Sequence, residues 1–408
     1  MNQQQKIYGI FSLPVIVAAL GYFVDIYDLL LFSIIRVPSL KSLGLNDAQI
    51  ASDGLKIINI QMIGLLIGGI LWGILGDKLG RMKVLFASII LYSIGNIANG
   101  FVETVNQYAA VRFFSGIGLA GELGASITLV SEILSKEKRG LGTSVVAGIG
   151  LTGAVFAFVM KQNFEWRTCY FIGGGMGFLL LFLRAGVLES SMFHSIKDAT
   201  ISKGNILMLF NNKKRFSKYL KAILIGIPTW YVIGILISFS DKFGKEMHII
   251  GAIDPGKAIM YAYVAIAIGD LLVGFISHWF KSRKKAIALF YIIAIVAIIL
   301  YFNLEGKSNE TLYWVCAALG FGTGFWALFV TMAAEQFGTN IRATATTTVP
   351  NMVRGSLVLT SLLFTYLQPS FGYLKSGWIT GIVVMSLSII ALIFTQETFD
   401  KDLNYIEK

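Results

Sequence analysis

The chain has 408 residues, of which 55% are apolar and only 14% charged, and its mean hydropathy is +0.71. Soluble domains run about 25% charged, so this composition excludes an ordinary soluble enzyme or binding module and leaves a chain of many membrane spans. The formal charge of +11 would suggest a nucleic-acid partner in a soluble protein. In a membrane chain the placement of the positive residues carries the meaning instead, and no nucleic acid is implied.

Twelve apolar segments follow one another, at about 9–35, 54–76, 83–101, 107–134, 141–160, 169–188, 218–240, 257–280, 285–303, 311–333, 343–367 and 375–396. The first is too long for the apolar core of a signal peptide and lacks a small-residue cleavage site, so it reads as a retained span. The longest polar connection, 189–217, divides the chain into an N-terminal six-helix bundle at 1–188 and a C-terminal six-helix bundle with a short tail at 218–408. The fold class expected is therefore an all-α membrane protein of twelve transmembrane helices. Lys and Arg crowd the connections on the side of the termini, for example Lys78, Arg81, Lys83, Lys213, Lys214, Arg215, Arg283, Lys284 and Lys285. That bias places both termini in the cytoplasm and the protein in the inner (plasma) membrane. Cys169 and Cys316 both fall in apolar runs and can form neither a disulfide framework nor a metal-ligand set. No cofactor or metal is expected.

The fourth segment carries the strongest signal. Val111 to Leu134 is long enough to cross a bilayer as a helix, yet Glu122 stands near its middle, where a charge facing lipid costs roughly 3 kcal/mol. Glycines at 116, 118, 121 and 124 thin its surface, so that neighbouring helices can approach closely. Such a helix belongs inside a bundle, around something polar.

The two halves echo each other. Glu132 and Arg139 are seven apart at the end of the fourth segment, and Glu335 and Arg342 are seven apart at the end of the tenth. Gly73-xxx-Asp77-Lys78-Leu-Gly80-Arg81-Met-Lys83 after the second segment is matched by Gly274-xxx-His278 and a basic run after the eighth. Leu188-Glu189-Ser190 is matched by Gln396-Glu397-Thr398. All three offsets are about 200 residues, which indicates duplicated halves, the arrangement in which a substrate site forms at the midplane between repeats.

At these residues the chain resembles the Major Facilitator Superfamily. Gly73 to Lys83 is similar to that family's loop signature. Arg112 to Glu122 with Glu132 to Gly140 resembles its branch of sugar porters, organic-ion carriers and metabolite:proton symporters, and Glu397-Thr398-xx-Lys401 resembles a worn family terminus. The resemblance implies alternating access. It implies gating by Asp77, Arg81, Glu132, Arg139, Glu335 and Arg342 at the cytoplasmic helix ends, with Asp77 approaching the N-terminus of the eleventh helix near Thr344, where the helix dipole favours an anion. The family proline is replaced by Ser135 in one half and by Gly338 in the other, and the acidic residue of the second loop signature by His278. The seventh segment lacks the paired glutamines of sugar porters.

Five ionisable residues fall near the midplane. Asp25 and Asp28, three residues apart on one helix face, would repel in a low dielectric, which favours a proton on one of them. They and Glu122 are the candidate proton-coupling groups, with a structural cap or an interhelix pair as the alternative. Arg354 in the eleventh segment requires an anionic partner. Its guanidinium suits a substrate carboxylate, and the resemblance links an arginine of this span with anionic substrates. Asp270 either shares in substrate binding or neutralises Arg354. Trp230, Tyr231 and Trp326 are candidate pore-lining aromatics, against a packing or interfacial role. Arg112 reads as a tie between the outer helix ends.

Two motifs are set aside. Gly116-x-Gly118-x-x-Gly121 lies inside a spanning helix with no strand before it, and Gly251-xxxx-Gly256-Lys257 is followed by Ala258, which has no hydroxyl for magnesium. No catalytic cluster is present. The expectation is a secondary transporter, acting as a monomer, that moves a small organic anion or zwitterion in symport with protons. A proton-coupled exporter is the alternative.

Overall fold

The structure, a computed structural model, describes residues 9–134, 136–184, 206–401, 405 and 407; at 81, 128, 131, 132, 136–141, 144 and 343 it describes the backbone alone. Among the described residues every regular element is a helix, apart from one isolated bridge between Ile250 and Ser308. The N-terminal half holds α1 (Leu13–Ser42), α2 (Asp47–Leu79), α3 (Arg81–Asn99), α4 in two pieces (Val105–Leu119 and Glu122–Ile133), α5 (Lys136–Asn163) and α6 (Trp166–Arg184). The C-terminal half holds α7 (Lys213–Tyr231, continued by a π-helical stretch Val232–Ile237), a short helix Ser240–Glu246, α8 (Pro255–Trp279), α9 (Arg283–Phe302) and α10 in two pieces (Asn309–Gly322 and Trp326–Glu335). The last run, Arg342–Ile393, turns at Gly372, whose φ of 71° only glycine adopts without strain. We label the parts before and after it α11 and α12. Unbroken, 52 residues would span more than twice the hydrocarbon thickness at 1.5 Å each.

Ten of these stretches are long and apolar enough to cross a membrane; the broken α4 and the turn at Gly372 account for the expected twelve. Side chains such as Phe182, Trp279, Leu359 and Tyr366 are more than 70% exposed on the outer surface, as a lipid-facing wall requires. The helices overrun the apolar segments because caps set their ends. Asn46 and Gln49 cap α2 reciprocally, as Thr104 and Gln107 cap α4. Asn212 accepts from the backbone of Lys214 and Arg215, so α7 begins five residues ahead of the apolar segment, inside the expected 189–217 connection. Residues 189–205 of that connection lie outside the described residues.

Three breaks shape the interior. Pro228 in α7 cannot donate to Leu224, and Ser388 of α12 hydrogen-bonds that carbonyl instead (2.7 Å). The break after Leu119 in α4 leaves the carbonyls of Ile117 and Ala120 to Trp72 (2.6 Å) and to Asn351 of the other half (2.8 Å). In α10 the chain leaves the helix at 323–325 where α8 crosses it: a Cβ on Gly324 would stand 2.8 Å from the Cα of Gly269. Of these breaks, the one in α4 turns polar backbone across to the other half, through the Ala120 carbonyl on Asn351.

The halves touch at both ends. On the face carrying the termini, the Asp77 carboxylate accepts from the backbone N–H (2.8 Å) and hydroxyl (2.6 Å) of Thr344 at the start of α11, and Gly124 packs against Thr347. At the opposite face Arg36 pairs with Asp241 (3.0 Å), Lys161 with Asp254 (2.6 Å), and Asn59 with Ser361 (3.0 Å). The halves are thus held together by polar contacts at both ends.

Candidate functional site

Between the two sets of contacts lies a small pocket, lined from the N-terminal half by Tyr22, Ile26, Leu29 and Leu151 and from the C-terminal half by Thr229, Trp230, Ile233, Tyr263, Ile266, Trp326 and Arg354. Its walls are mostly apolar and aromatic, with few polar atoms, the usual make-up of a small-molecule site. Trp230 reaches it from α7 just beyond Pro228, and Trp326 opens the second piece of α10. The guanidinium of Arg354 lies 5.9 Å from the Trp326 ring centre.

Arg354 is 1% exposed and faces Asp25 of α1 across the interface between the halves, Nη2 to Oδ2, at 3.6 Å. That is an ion pair without a hydrogen bond. Arg354 also donates weakly to Asn351 (3.4 Å). Around the cavity Arg354 Nε, Trp326 Nε1, Thr229 Oγ1 and both carboxylate oxygens of Asp25 have no hydrogen-bond partner among the described residues. Buried polar atoms are nearly always bonded, so such a cluster around one cavity marks groups arranged for something other than the protein's own packing.

The structure separates the residues the sequence grouped. Asp28 turns from Asp25 into the N-terminal half, where Arg112 holds its carboxylate (2.6 Å) and its backbone carbonyl (2.9 Å) while donating to Gln61 (3.2 Å). Arg112 therefore ties the interior of one half, not the outer helix ends. Three residues advance a helix by 300°, so the two aspartates stand about 60° apart. On a helix packed against both halves, that is enough to give them different partners. Glu122 is held in a two-point pair by Arg184 (one contact at 2.9 Å) and accepts from Ser126 (2.9 Å). Asp270 forms no ion pair with Arg354 among the described residues. It accepts from the backbone N–H of Ala327 (3.0 Å), an anion at the N-terminus of the second piece of α10. Tyr231 points away from the cavity and donates to the carbonyl of Gly377 in α12 (2.7 Å), because its neighbour Trp230 occupies the inward face of the helix.

Glu335 receives Arg283 (2.9 Å) and the hydroxyl of Thr398 (2.7 Å), and Arg342 is buried at the start of α11. The side chains of Arg81, Glu132 and Arg139 lie outside the described residues. Sequence reasoning missed Arg184, Arg36, Tyr22, Tyr263 and Asp25's role as partner of Arg354. Arg184 and Arg36 end long apolar runs and pass for flanking charges, although each is long enough to reach back into the bundle.

Comparisons with known proteins identify the family and the fold. The chain is 23% identical over 423 residues to a niacin transporter, NiaP, of Acinetobacter baylyi (96% of this chain, 95% of the relative). It is 24% identical over 387 residues to the sialic acid transporter NanX of Escherichia coli (92% of each). Its fold matches a crystal structure of the proton:xylose symporter XylE with a TM-score of 0.74 at 18% identity, covering 97% of both chains. The family model of the Major Facilitator Superfamily matches residues 18–355, and the chain belongs to that family of transporters.

Proposed function

We propose that this protein carries small monocarboxylates with a flat ring, aromatic or heteroaromatic, by proton-coupled symport. The observation that supports this most is a single buried guanidinium, Arg354, at the edge of a cavity walled by Trp230, Trp326, Tyr22 and Tyr263. Two parallel hydrogen bonds from Arg354 suit a carboxylate, and indole and phenol faces suit a planar ring. Among the described residues Arg354 is the one cation lining the cavity, so a second carboxylate would stay uncompensated. Niacin and sialic acid, named for the two relatives, each carry one carboxylate. The planar walls favour the pyridine acid over the sugar acid. Buried carboxylates in the spans supply groups able to hold a proton.

The contacts between the halves at both ends support a reading of alternating access. Asp77 on Thr344, with Glu335 and Arg342 nearby, serves as the gate on the face of the termini; Arg36–Asp241 and Lys161–Asp254 serve as the other. The excess of Lys and Arg on the terminal face supports cytoplasmic termini in the inner membrane, with the single chain as the working unit.

The test is uptake of labelled nicotinate and benzoate into proteoliposomes under an imposed inward proton gradient. Wild type is expected to accumulate at least one of them, and Arg354→Gln to fall to background, on the order of 100-fold, while remaining folded. Accumulation of neutral sugars in place of the acids, or full uptake by Arg354→Gln, would contradict the reading. Substrate leaving against the proton flow would make it an exporter.

A further inference from the structure

The pair between Asp25 and Arg354 has a property the other buried pairs lack. Asp28 and Glu122 are each neutralised within their own half by close hydrogen-bonded arginines, whereas Asp25 depends on one guanidinium from the opposite half at 3.6 Å. We propose that Asp25 is a built-in competitor for the substrate's carboxylate: the two occupy Arg354 by turns, so one proton enters on Asp25 with each monoanion and the cycle moves no net charge. This deepens the reading of Arg354 as the anion site and rests on it.

The geometry gives the reason for exclusion. A carboxylate clamped by two parallel hydrogen bonds needs two neighbouring N–H groups. On Arg354, Nη1 faces Asn351 and Nη2 faces Asp25, while Nε has no partner among the described residues. The Nε–Nη2 edge is the one free to clamp, and its Nη2 is the nitrogen that Asp25 faces at 3.6 Å. A substrate carboxylate on that edge meets the Asp25 carboxylate at close range, and their repulsion makes the two compete for Arg354.

Among the described residues a displaced Asp25 carboxylate has no other uncommitted cation beside it. The titratable groups within electrostatic reach of it are Glu122 of α4 and Asp28 and Tyr22 of α1, with Tyr92 of α3 and Tyr263 of α8. The first two are acidic, the others are phenols, and Arg184 and Arg112 are committed to Glu122 and Asp28. An uncompensated carboxylate in this surrounding takes a proton. The charge balance closes. Without substrate, Asp25 carboxylate and Arg354 cancel. With it, Asp25 is a neutral acid and the substrate carboxylate cancels Arg354. No bond other than the O–H on Asp25 forms or breaks.

The experiment uses the full chain in nanodiscs with nicotinate as probe, above the pH range in which the probe's own carboxyl titrates. Wild-type affinity should fall roughly tenfold per pH unit on the alkaline side, as expected when one proton binds with each ligand. Asp25→Asn should bind with a flat pH profile and more tightly than wild type at alkaline pH. In proteoliposomes it should exchange nicotinate across the membrane yet fail to accumulate it on a proton gradient. Should Asp25→Asn fold poorly, the wild-type protein decides: one proton per nicotinate, at a rate indifferent to an imposed potassium diffusion potential, supports the proposal. Charge movement with transport, an unchanged pH profile in Asp25→Asn, or loss of its binding overturns it while leaving Arg354 as the anion site. Failure of nicotinate and benzoate to bind wild type at any pH overturns the substrate reading and this proposal together.

Discussion

The N-terminal and C-terminal helices differ in how they hold their charges near the midplane. In the N-terminal half two midplane acids are paired within the bundle, Asp28 with Arg112 and Glu122 with Arg184, while Asp25 and, at the far end, Arg36 reach across the interface. The C-terminal half holds Asp270 as a helix cap and leaves Arg354 to find its partner across the interface. A pair inside one half travels with it as the halves rock and fixes how its helices pack. A pair between halves is exposed to that motion and to whatever enters the cavity. On the function proposed above, the same residue types serve packing in one bundle and recognition in the other.

Breaking a pair inside the N-terminal half should have the largest effect on stability. Arg184→Gln strands Glu122 among apolar neighbours, a loss of about 3–5 kcal/mol. Thermal melting in detergent should show a collapse of folded yield, with recovery when Glu122→Gln is added. If Asp25→Asn proved as damaging as Arg184→Gln, the contrast between the halves would fail.

The closing contacts at the two ends come next, with opposite signs. Asp77→Asn removes a charge from the N-terminus of α11, worth about 1–2 kcal/mol, or roughly a tenfold shift in the gate's equilibrium. It should open the face of the termini, read as faster thiol labelling of Thr347→Cys from that side. Arg36→Gln should slow the same labelling, because it loosens the opposite end. The native thiols Cys169 and Cys316 are buried and add little background. Equal effects in one direction would mean that these contacts do not gate.

The smallest effect is expected at Glu397. Its carboxylate is partly desolvated, which alone would raise its pKa. The Ser282 hydroxyl and the backbone N–H groups of Arg283, Phe399 and Thr398 outweigh this and hold it below the usual carboxylate range. A folded-state value below the unfolded one gives stability that is present above the unfolded value and lost as pH falls through the folded one. Glu397→Gln should therefore lower the melting temperature at neutral pH, by no more than a helix cap is worth, about 1 kcal/mol. The gap should close in acid; one that widened there would assign the wrong sign.

Depth was legible in the sequence and direction was not. Apolar length and repeat spacing located twelve spans, and Asp25, Asp28, Glu122, Asp270 and Arg354 are all buried as their mid-span positions demanded. Which way each side chain turns depends on what packs around its helix. In α1, 83% of the most apolar window is buried, so no polar face marks the cavity side, and Asp25 and Asp28 could not be assigned to different partners. Tyr231 failed for the same reason, one residue from Trp230, which does line the cavity. Arg184 escaped because hydropathy treats a charge at the end of a span as outside it. The contact of Asp77 with Thr344 was readable because a helix terminus attracts an anion whatever the surrounding packing.

The central claim is that a carboxylate binds Arg354 between the halves and displaces Asp25. The most direct measurement is a structure of the protein with bromobenzoate, locating bromine by anomalous scattering. The account predicts bromine beside Trp230 and Trp326, the carboxylate on the Nε–Nη2 edge of Arg354, and Asp25 withdrawn from it. Bromine elsewhere, or a bound ligand with the Asp25–Arg354 pair intact, would contradict it.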